Sequence, residues 1–176
     1  MKYSLFFFFG IALFATSALR AESLQKQLVG KLVVLKDKEL QPAPGDVMKD
    51  KDIIIIYFGD SKSSRTVTSH MSMFHSESMK KYSNFQMVLV SGDKDEEAMR
   101  LHMYNGDMKN PAVRFSDIEK SGLEKYAASK RPYIVVLDSD GKILMEKPKG
   151  KNWIHPFDVF RQVEAIVKEK GKKITP

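Results

Sequence analysis

The sequence predicts an α/β sandwich in which helices flank a central mixed β-sheet. The residues from Ile53 to Phe58 are all β-branched or aromatic, which is typical of a strand buried on both faces. A helical pattern of apolar residues follows this strand directly. Farther along, Asp140-Gly141 separates two apolar segments and predicts an antiparallel hairpin. A strand–helix–strand unit combined with a hairpin gives a sheet with both parallel and antiparallel pairs.

Residues 1–21 have the layout of a secretory signal peptide. Lys2 gives a positive start, residues 5–14 are apolar, and small residues precede Ala21. The apolar segment is shorter than a membrane-spanning helix requires, although a retained membrane anchor is the alternative. We therefore expect a periplasmic or secreted protein that does not insert into a membrane after the signal is cleaved.

The remaining chain predicts one domain at residues 22–171 and a basic tail at residues 172–176. A domain of this size buries a hydrophobic core without needing disulfides or a metal. The formal net charge is +7 at pH 7, and lysines are concentrated near the C-terminus. These lysines lack interleaved aromatic residues, so we expect a solvated basic surface and no nucleic-acid partner.

Short elements are predicted before the buried strand. A helical lead-in is expected at residues 22–27, a strand at 32–36 and a turn at 37–39. Residues 41–45 contain two prolines, which lack an amide hydrogen. We therefore predict a loop there, without regular structure.

Strands and helices alternate in the middle of the chain. A helix at residues 64–81 is predicted by apolar and small residues spaced three and four apart, namely Val67, Met71, Phe74, Ser78 and Tyr82. The elements predicted next are a buried strand at 85–90, a helix at 95–104 and a brief strand at 112–115. Ser116 and Glu119 form a capping box, which predicts a helix reaching about residue 128.

The last elements are the hairpin strands at 133–137 and 143–146 and a helix at 157–170. The acidic residues between Asp93 and Glu97 predict a solvated run at the start of a helix. His102 and His155 have no partner that the sequence identifies.

This order of elements resembles the thioredoxin superfamily, in particular its tryparedoxin and nucleoredoxin-like branch. The strand that ends in Tyr57-Phe58 is similar to the strand that enters the active-site turn in that branch. The family continues with a tryptophan and a Cys-x-x-C motif, whereas this chain continues with Ser61-Lys62-Ser63-Ser64. Arg65 matches the basic residue that often follows the second cysteine. Arg131-Pro132 resembles the cis-proline that faces the turn.

The chain contains no cysteine. Thiol–disulfide exchange needs a thiolate nucleophile and a second sulfur, and serine hydroxyls replace neither. Thiol–disulfide oxidoreductase, disulfide isomerase and thiol-peroxidase activities are therefore excluded, and no cofactor is expected. The resemblance implies a surface that binds an extended peptide or protein, although an inherited turn without a ligand is an equal alternative. The residues implied in binding are Ser61, Lys62, Ser63, Ser64, Arg65, Arg131 and Pro132.

A copper site is the alternative function. On a helix, Met71, His75 and Met79 lie above one another at a spacing of four residues. Thioether and imidazole ligands suit Cu(I). The competing interpretation places Met71 in the core and the two histidines His70 and His75 on the surface.

A hydrolase is a third alternative, with Ser61, Ser63 or Ser64 as the nucleophile and His70 or His75 as the base. The Gly-x-Ser-x-Gly motif of the α/β-hydrolases is absent from the sequence. Capping of the following helix already accounts for serines at these positions. We therefore expect no catalytic residue.

Overall fold

The structure is a computed structural model that describes residues 23–63, 65–146 and 156–174. The predicted signal peptide, Ser64, Trp153 and His155 lie outside the described residues. The strands are β1 (Leu32–Lys36), β2 (Glu39–Pro42), β3 (Ile53–Gly59), β4 (Phe85–Ser91), β5 (Ala112–Val113), β6 (Tyr133–Asp138) and β7 (Ile143–Glu146). The α-helices are α1 (Leu24–Leu28), α2 (Arg65–Met79), α3 (Glu96–Asn105) and α4 (Pro156–Lys170).

The described strands form one mixed sheet in the order β2-β1-β5-β4-β3-β6-β7. Strand β3 pairs in parallel with β4 and antiparallel with β6. Every residue of β3 and β4 is buried. The α/β sandwich, the central strand and the antiparallel hairpin of β6 and β7 are therefore confirmed.

The two faces of β3 contribute to two separate core clusters, because successive side chains of a strand point to opposite faces. One cluster contains Ile53, Ile55 and Tyr57 together with side chains of α2, α3 and α4. The other contains Ile54, Ile56 and Phe58, with side chains of α1 and of the short turns near Leu123. None of the helices in the described part of the chain is long and apolar enough to cross a membrane.

The predicted helix from Ser116 to about residue 128 is wrong. The structure has three short 3₁₀ segments there, at Phe115–Asp117, Glu119–Ser121 and Leu123–Tyr126. Gly122 separates the last two with a φ of 67°, in the left-handed region that glycine adopts without a steric penalty. A residue in this conformation ends the right-handed helix that the capping box would start.

The predicted loop at residues 41–45 is wrong at its start. Strand β2 includes Gln41 and Pro42, which pair with β1 through Val34↔Gln41 and Val33↔Pro42. Strand β2 is at the edge of the sheet and has a neighbouring strand on one side only. Proline, which has no amide hydrogen, is therefore tolerated there. The predicted turn before β2 is confirmed, since Asp37 and Lys38 both have positive φ.

The described part of the basic tail is tied to the domain rather than free. Lys173 forms a β-bridge with Tyr82, and the amide of Ile174 donates to the carbonyl of Lys81 at 2.9 Å. The ammonium group of Lys172 lies 2.7 Å from the carboxylate of Asp52. These contacts join the residues after α4 to the loop that follows α2 and to Asp52, which directly precedes β3.

One polar pair lies among the apolar side chains that pack on α2. His75 is buried, with its ring centroid 6.0 Å from that of Phe85. The side-chain amide nitrogen of Gln86 lies 3.1 Å from His75 Nε2 and donates to it. Burial lowers the pKa of His75 from 6.5 to about 4, and the charge of Lys51 adds to this effect. His75 is therefore neutral at pH 7.

We predict that Met71→Ala lowers the free energy of unfolding by about 2–5 kcal/mol, because the Met71 side chain is completely buried. The matched control is Met73→Ala on the same helix, where the side chain is 59% exposed. Its effect should lie within about 0.5 kcal/mol of zero. Urea unfolding measures both, and equal losses for the two variants would contradict the packing described for α2.

We also predict that stability falls as the pH drops from 6.5 towards 4. In this range His75 binds a proton in the unfolded chain but stays neutral in the fold, so protonation favours unfolding. The full loss attributable to His75 is about 3 kcal/mol. His75→Gln keeps an acceptor for Gln86 and removes the titration. Its unfolding free energy should therefore depend less on pH than that of the wild type, whereas parallel curves would refute the assignment.

Candidate functional site

Three loops meet at one edge of the sheet. Gly59 at the end of β3 is opposite Ser91 at the end of β4, and Phe58 is opposite Tyr133 at the start of β6. The amide of Gly92 donates to the carbonyl of Gly59 at 2.8 Å. We call residues 60–63, 92–94 and 131–132 the loop edge. The predicted turn and the predicted proline loop therefore lie at the same end of the sheet.

The Arg131-Pro132 peptide bond is cis, as the resemblance implied. The Arg131 side chain lies across the strand ends: its guanidinium is 5.9 Å from the Phe58 ring centroid and donates to the carbonyl of Val90 at 3.3 Å. A Cβ added to Gly92 would lie 2.3 Å from Nε of Arg131. Only glycine at position 92 leaves room for the arginine in this position.

Asp60 organises the turn that follows β3. Its Oδ1 accepts hydrogen bonds from the amide of Lys62 at 3.0 Å and from the hydroxyl of Ser63 at 3.1 Å. The amide of Asp60 in turn donates to Oγ of Ser63 at 3.0 Å. The hydroxyl of Ser63 thus holds the turn together, whereas Ser61 and Lys62 are exposed.

The side chain of Asp93 is buried, so the prediction of a fully solvated acidic run is wrong at its first residue. The Asp93 side chain is 1% exposed. Its Oδ1 accepts from the amide of Ser61 at 2.7 Å, and its Oδ2 accepts from the hydroxyl of Ser91 at 2.8 Å. Burial by itself would raise the pKa of Asp93, but these hydrogen bonds and the nearby His102 lower it below its ordinary value. The carboxylate is therefore charged at pH 7.

Asp93 belongs to a chain of polar groups that extends into the core. His102 Nδ1 lies 3.3 Å from Asp93 Oδ2, and His102 Nε2 lies 3.5 Å from Oγ1 of Thr68. The hydroxyl of Thr68 lies 3.2 Å from that of Tyr57. Burial lowers the pKa of His102, although the charges of Asp93 and Asp60 partly offset this effect. His102 is therefore neutral at pH 7: its Nε2 accepts from the hydroxyl of Thr68, whereas its Nδ1 faces Asp93 without hydrogen-bond geometry.

The partner of His102 was not predicted from the sequence, although a signal was present. His102 follows Met99 by three residues and precedes Met103 by one, and all three side chains are buried. A histidine on the apolar face of a helix needs a polar partner inside the fold. Its partner Asp93 follows a buried strand, at the edge of the sheet where α3 begins.

Two depressions flank the turn. A cavity of about 110 Å³ lies between the turn, the start of α2 and the end of α3, and His102 and Thr68 line it. A crevice of about 390 Å³ lies on the other side, between the turn and the loop after β4, where Lys62 and Lys94 line it. Ser61 lines both.

The residues of the copper prediction lie on α2, away from the loop edge. Met71 is buried and Met79 packs partly buried against the same core cluster. His75 is also buried, so its predicted surface location is wrong; its Nδ1 has no hydrogen-bond partner within the described residues. In the described part of the chain, no group of three or more histidine or carboxylate side chains is arranged to hold a metal ion. Copper binding through thioethers stays a prediction.

The histidines of the hydrolase alternative have other contacts. Nδ1 of His70 donates to the carbonyl of Thr66 at 2.7 Å, and its ring stacks on Phe160 with centroids 6.1 Å apart. His75 accepts from Gln86, as described above. None of these contacts joins either histidine to Ser61 or Ser63.

Comparison with known proteins gives the family of the chain. A search of curated proteins found no match. Among solved structures, a thioredoxin from Wuchereria bancrofti is 22% identical, with a TM-score of 0.58 over 78% of this chain and 97% of that one. Tryparedoxin I from Leishmania major is 17% identical, with a TM-score of 0.57 over 85% and 97%. A thiol:disulfide interchange protein from Bacteroides sp. is 21% identical, with a TM-score of 0.55 over 80% and 88%.

These structural similarities show the fold. The family assignment comes from a family model described as thioredoxin-like, which matches residues 50–143. The matched segment extends from just before β3 to the first residue of β7, and so contains the whole loop edge. With this match over more than half of its length, the chain belongs to the thioredoxin-like family, and it does so without a cysteine.

Proposed function

We propose that this chain is a binding module that takes an extended peptide or protein segment at the loop edge and performs no redox chemistry of its own. The observation that carries the proposal is the free backbone of Arg131. Within the described residues, neither its amide nor its carbonyl pairs with another backbone group. An extended segment that hydrogen-bonds to them would add a short strand at this edge.

The side chains of the loop edge support a partner with acidic residues. Lys62 and Lys94 are exposed and line the crevice beside the turn, and Lys130 is exposed next to Arg131. The carboxylates of Asp60 and Asp93 line the same crevice, and both accept hydrogen bonds from the turn. The exposed lysines are the charged groups that can pair with an acidic segment, and such pairs raise its rate of association.

The absence of cysteine agrees with a binding role. A thiol-based relative forms a transient covalent bond with its substrate, and this chain has no thiol with which to form one. Affinity must then come from backbone pairing and charge alone. The signal-peptide pattern of residues 1–21 supports export, so we propose that the partner is a periplasmic or extracellular protein.

We predict that Lys130→Trp weakens peptide binding at least about tenfold, because the indole would cover the backbone of the adjacent Arg131. The matched control is Lys142→Trp, an equally exposed lysine beyond the opposite end of β6. The experiment selects peptides from a random displayed library on the wild-type chain and measures their affinity for both variants. The selected peptides should bind Lys142→Trp as they bind the wild type.

Two results would contradict the proposal. The first is a selection that enriches no peptide over a control with an unrelated protein. The second is a set of peptides whose affinity falls equally in the two variants, since this would place their site elsewhere on the chain.

A further inference from the structure

The cavity of about 110 Å³ beside the turn has a lining dominated by hydrogen-bond donors. Ser61, Asn105 and Arg65 bring hydrogen-bond donors to it, whereas the hydroxyls of Ser63 and Thr68, which also line it, are engaged within the protein. The ring of His102 also lines it and is 6% exposed, and its Nδ1 makes no hydrogen bond of acceptable geometry within the described residues. Of the residues that line this cavity, only Ser61 and Ser63 belong to the loop edge, on which the peptide function proposed above rests.

The formal charge of this lining is positive. Arg65 is exposed at the first residue of α2, and it forms no ion pair within the described residues. The first turn of α2 contains no acidic side chain, so its positive end is not neutralised from within the helix. Asp60 and Asp93 lie nearby but do not line the cavity, and both accept hydrogen bonds from the turn.

The volume of the cavity limits the size of the ligand, and the charge of its lining limits the ligand's charge. A space of 110 Å³ holds roughly three or four water molecules, which corresponds to a group of a few heavy atoms. One guanidinium supplies one positive charge in a planar fork that matches a carboxylate. The two carboxylates behind the lining oppose a second negative charge, which disfavours a phosphate dianion.

We propose that this cavity binds a carboxylate group, which Arg65 pairs with and the hydroxyl and amide donors orient. The carboxylate has two possible sources, a free small carboxylate or the C-terminus or acidic side chain of a bound peptide. The second source rests on the function proposed above, because it places one end of the peptide in this cavity.

His102 couples this binding to protons. The groups facing it are the carboxylates of Asp93 and Asp60, the hydroxyl of Thr68 and, at the mouth of the cavity, the guanidinium of Arg65. A carboxylate in the cavity adds a negative charge next to the ring and favours its protonated form. By linkage, a lower pH strengthens binding as long as the ligand itself stays ionised.

The first experiment titrates the ¹⁵N-labelled chain with sodium acetate and follows the amide resonances. Acetate should shift residues of the turn and of the ends of α2 and α3, and Arg65→Gln should weaken the affinity at least about tenfold. The matched control is Arg161→Gln, an exposed arginine of α4 that does not line this cavity. Its affinity should change less than about twofold.

The second experiment repeats the titration between about pH 7.5 and about pH 5.5. The affinity of the wild type for acetate should rise as the pH falls, and His102→Gln should remove this dependence. Arg65 is exposed, so Arg65→Gln tests the site even where the buried His102→Gln variant fails to fold.

The third experiment separates the two sources of the carboxylate. It compares a heptapeptide of alternating serine and valine that ends in a carboxylate with the same peptide ending in an amide. If the peptide with the free carboxylate binds more tightly than the amide, and Arg65→Gln removes this difference, the cavity binds a peptide terminus. If acetate binds but neither peptide does, the cavity binds a free carboxylate. This result contradicts the peptide function and leaves the carboxylate site standing.

Three results would overturn the carboxylate site while leaving the peptide function open. The first is the absence of any acetate shift at the cavity up to about 100 mM. The second is an equal loss of affinity in Arg65→Gln and Arg161→Gln, which indicates general charge attraction. The third is tighter binding of inorganic phosphate than of acetate.

Discussion

The parallel register of β3 and β4 is the constraint on which the loop edge depends. It places Gly59 opposite Ser91, so the turn after β3 and the loop after β4 begin side by side. Both strands are buried along their whole length, and a slip by one residue would turn every side chain to the other face. The register is therefore fixed by the packing of both core clusters, far from the loops it positions.

Asp93, which follows β4, fixes the turn after β3 relative to that strand and to α3. Its carboxylate accepts from the amide of Ser61 on one side and faces His102 of α3 on the other. A buried charge that lost these partners would be strongly destabilising, so the turn and α3 are held in one arrangement. A carboxylate, an imidazole and hydroxyls occupy the space around the turn.

Patterns along the chain predicted the fold well where one strong periodicity governs an element. Strands β3 and β4, helix α2 and the hairpin of β6 and β7 all follow from apolar runs and spacings. The predictions were wrong where a local signal competed with the sheet. Pro42 is typical of a loop but lies in an edge strand. The capping box of Ser116 does not start an α-helix, because Gly122 has a left-handed backbone conformation. His75, expected at the surface, is buried because α2 is covered on that side by Phe85 and Gln86.

The sequence by itself determined that this chain has no thiol, and therefore that any function at the turn differs from disulfide exchange. It also identified Ser61 and Arg131-Pro132 as parts of one region through the resemblance. Only the tertiary structure decided that Asp93, His102 and Thr68 form one polar chain beside that turn. These residues come from a loop and two different helices, and their hydrogen bonds depend on how the elements pack in space. The spacing of residues along the chain does not predict such contacts, because each residue fits its own helix or loop wherever its partner lies in space.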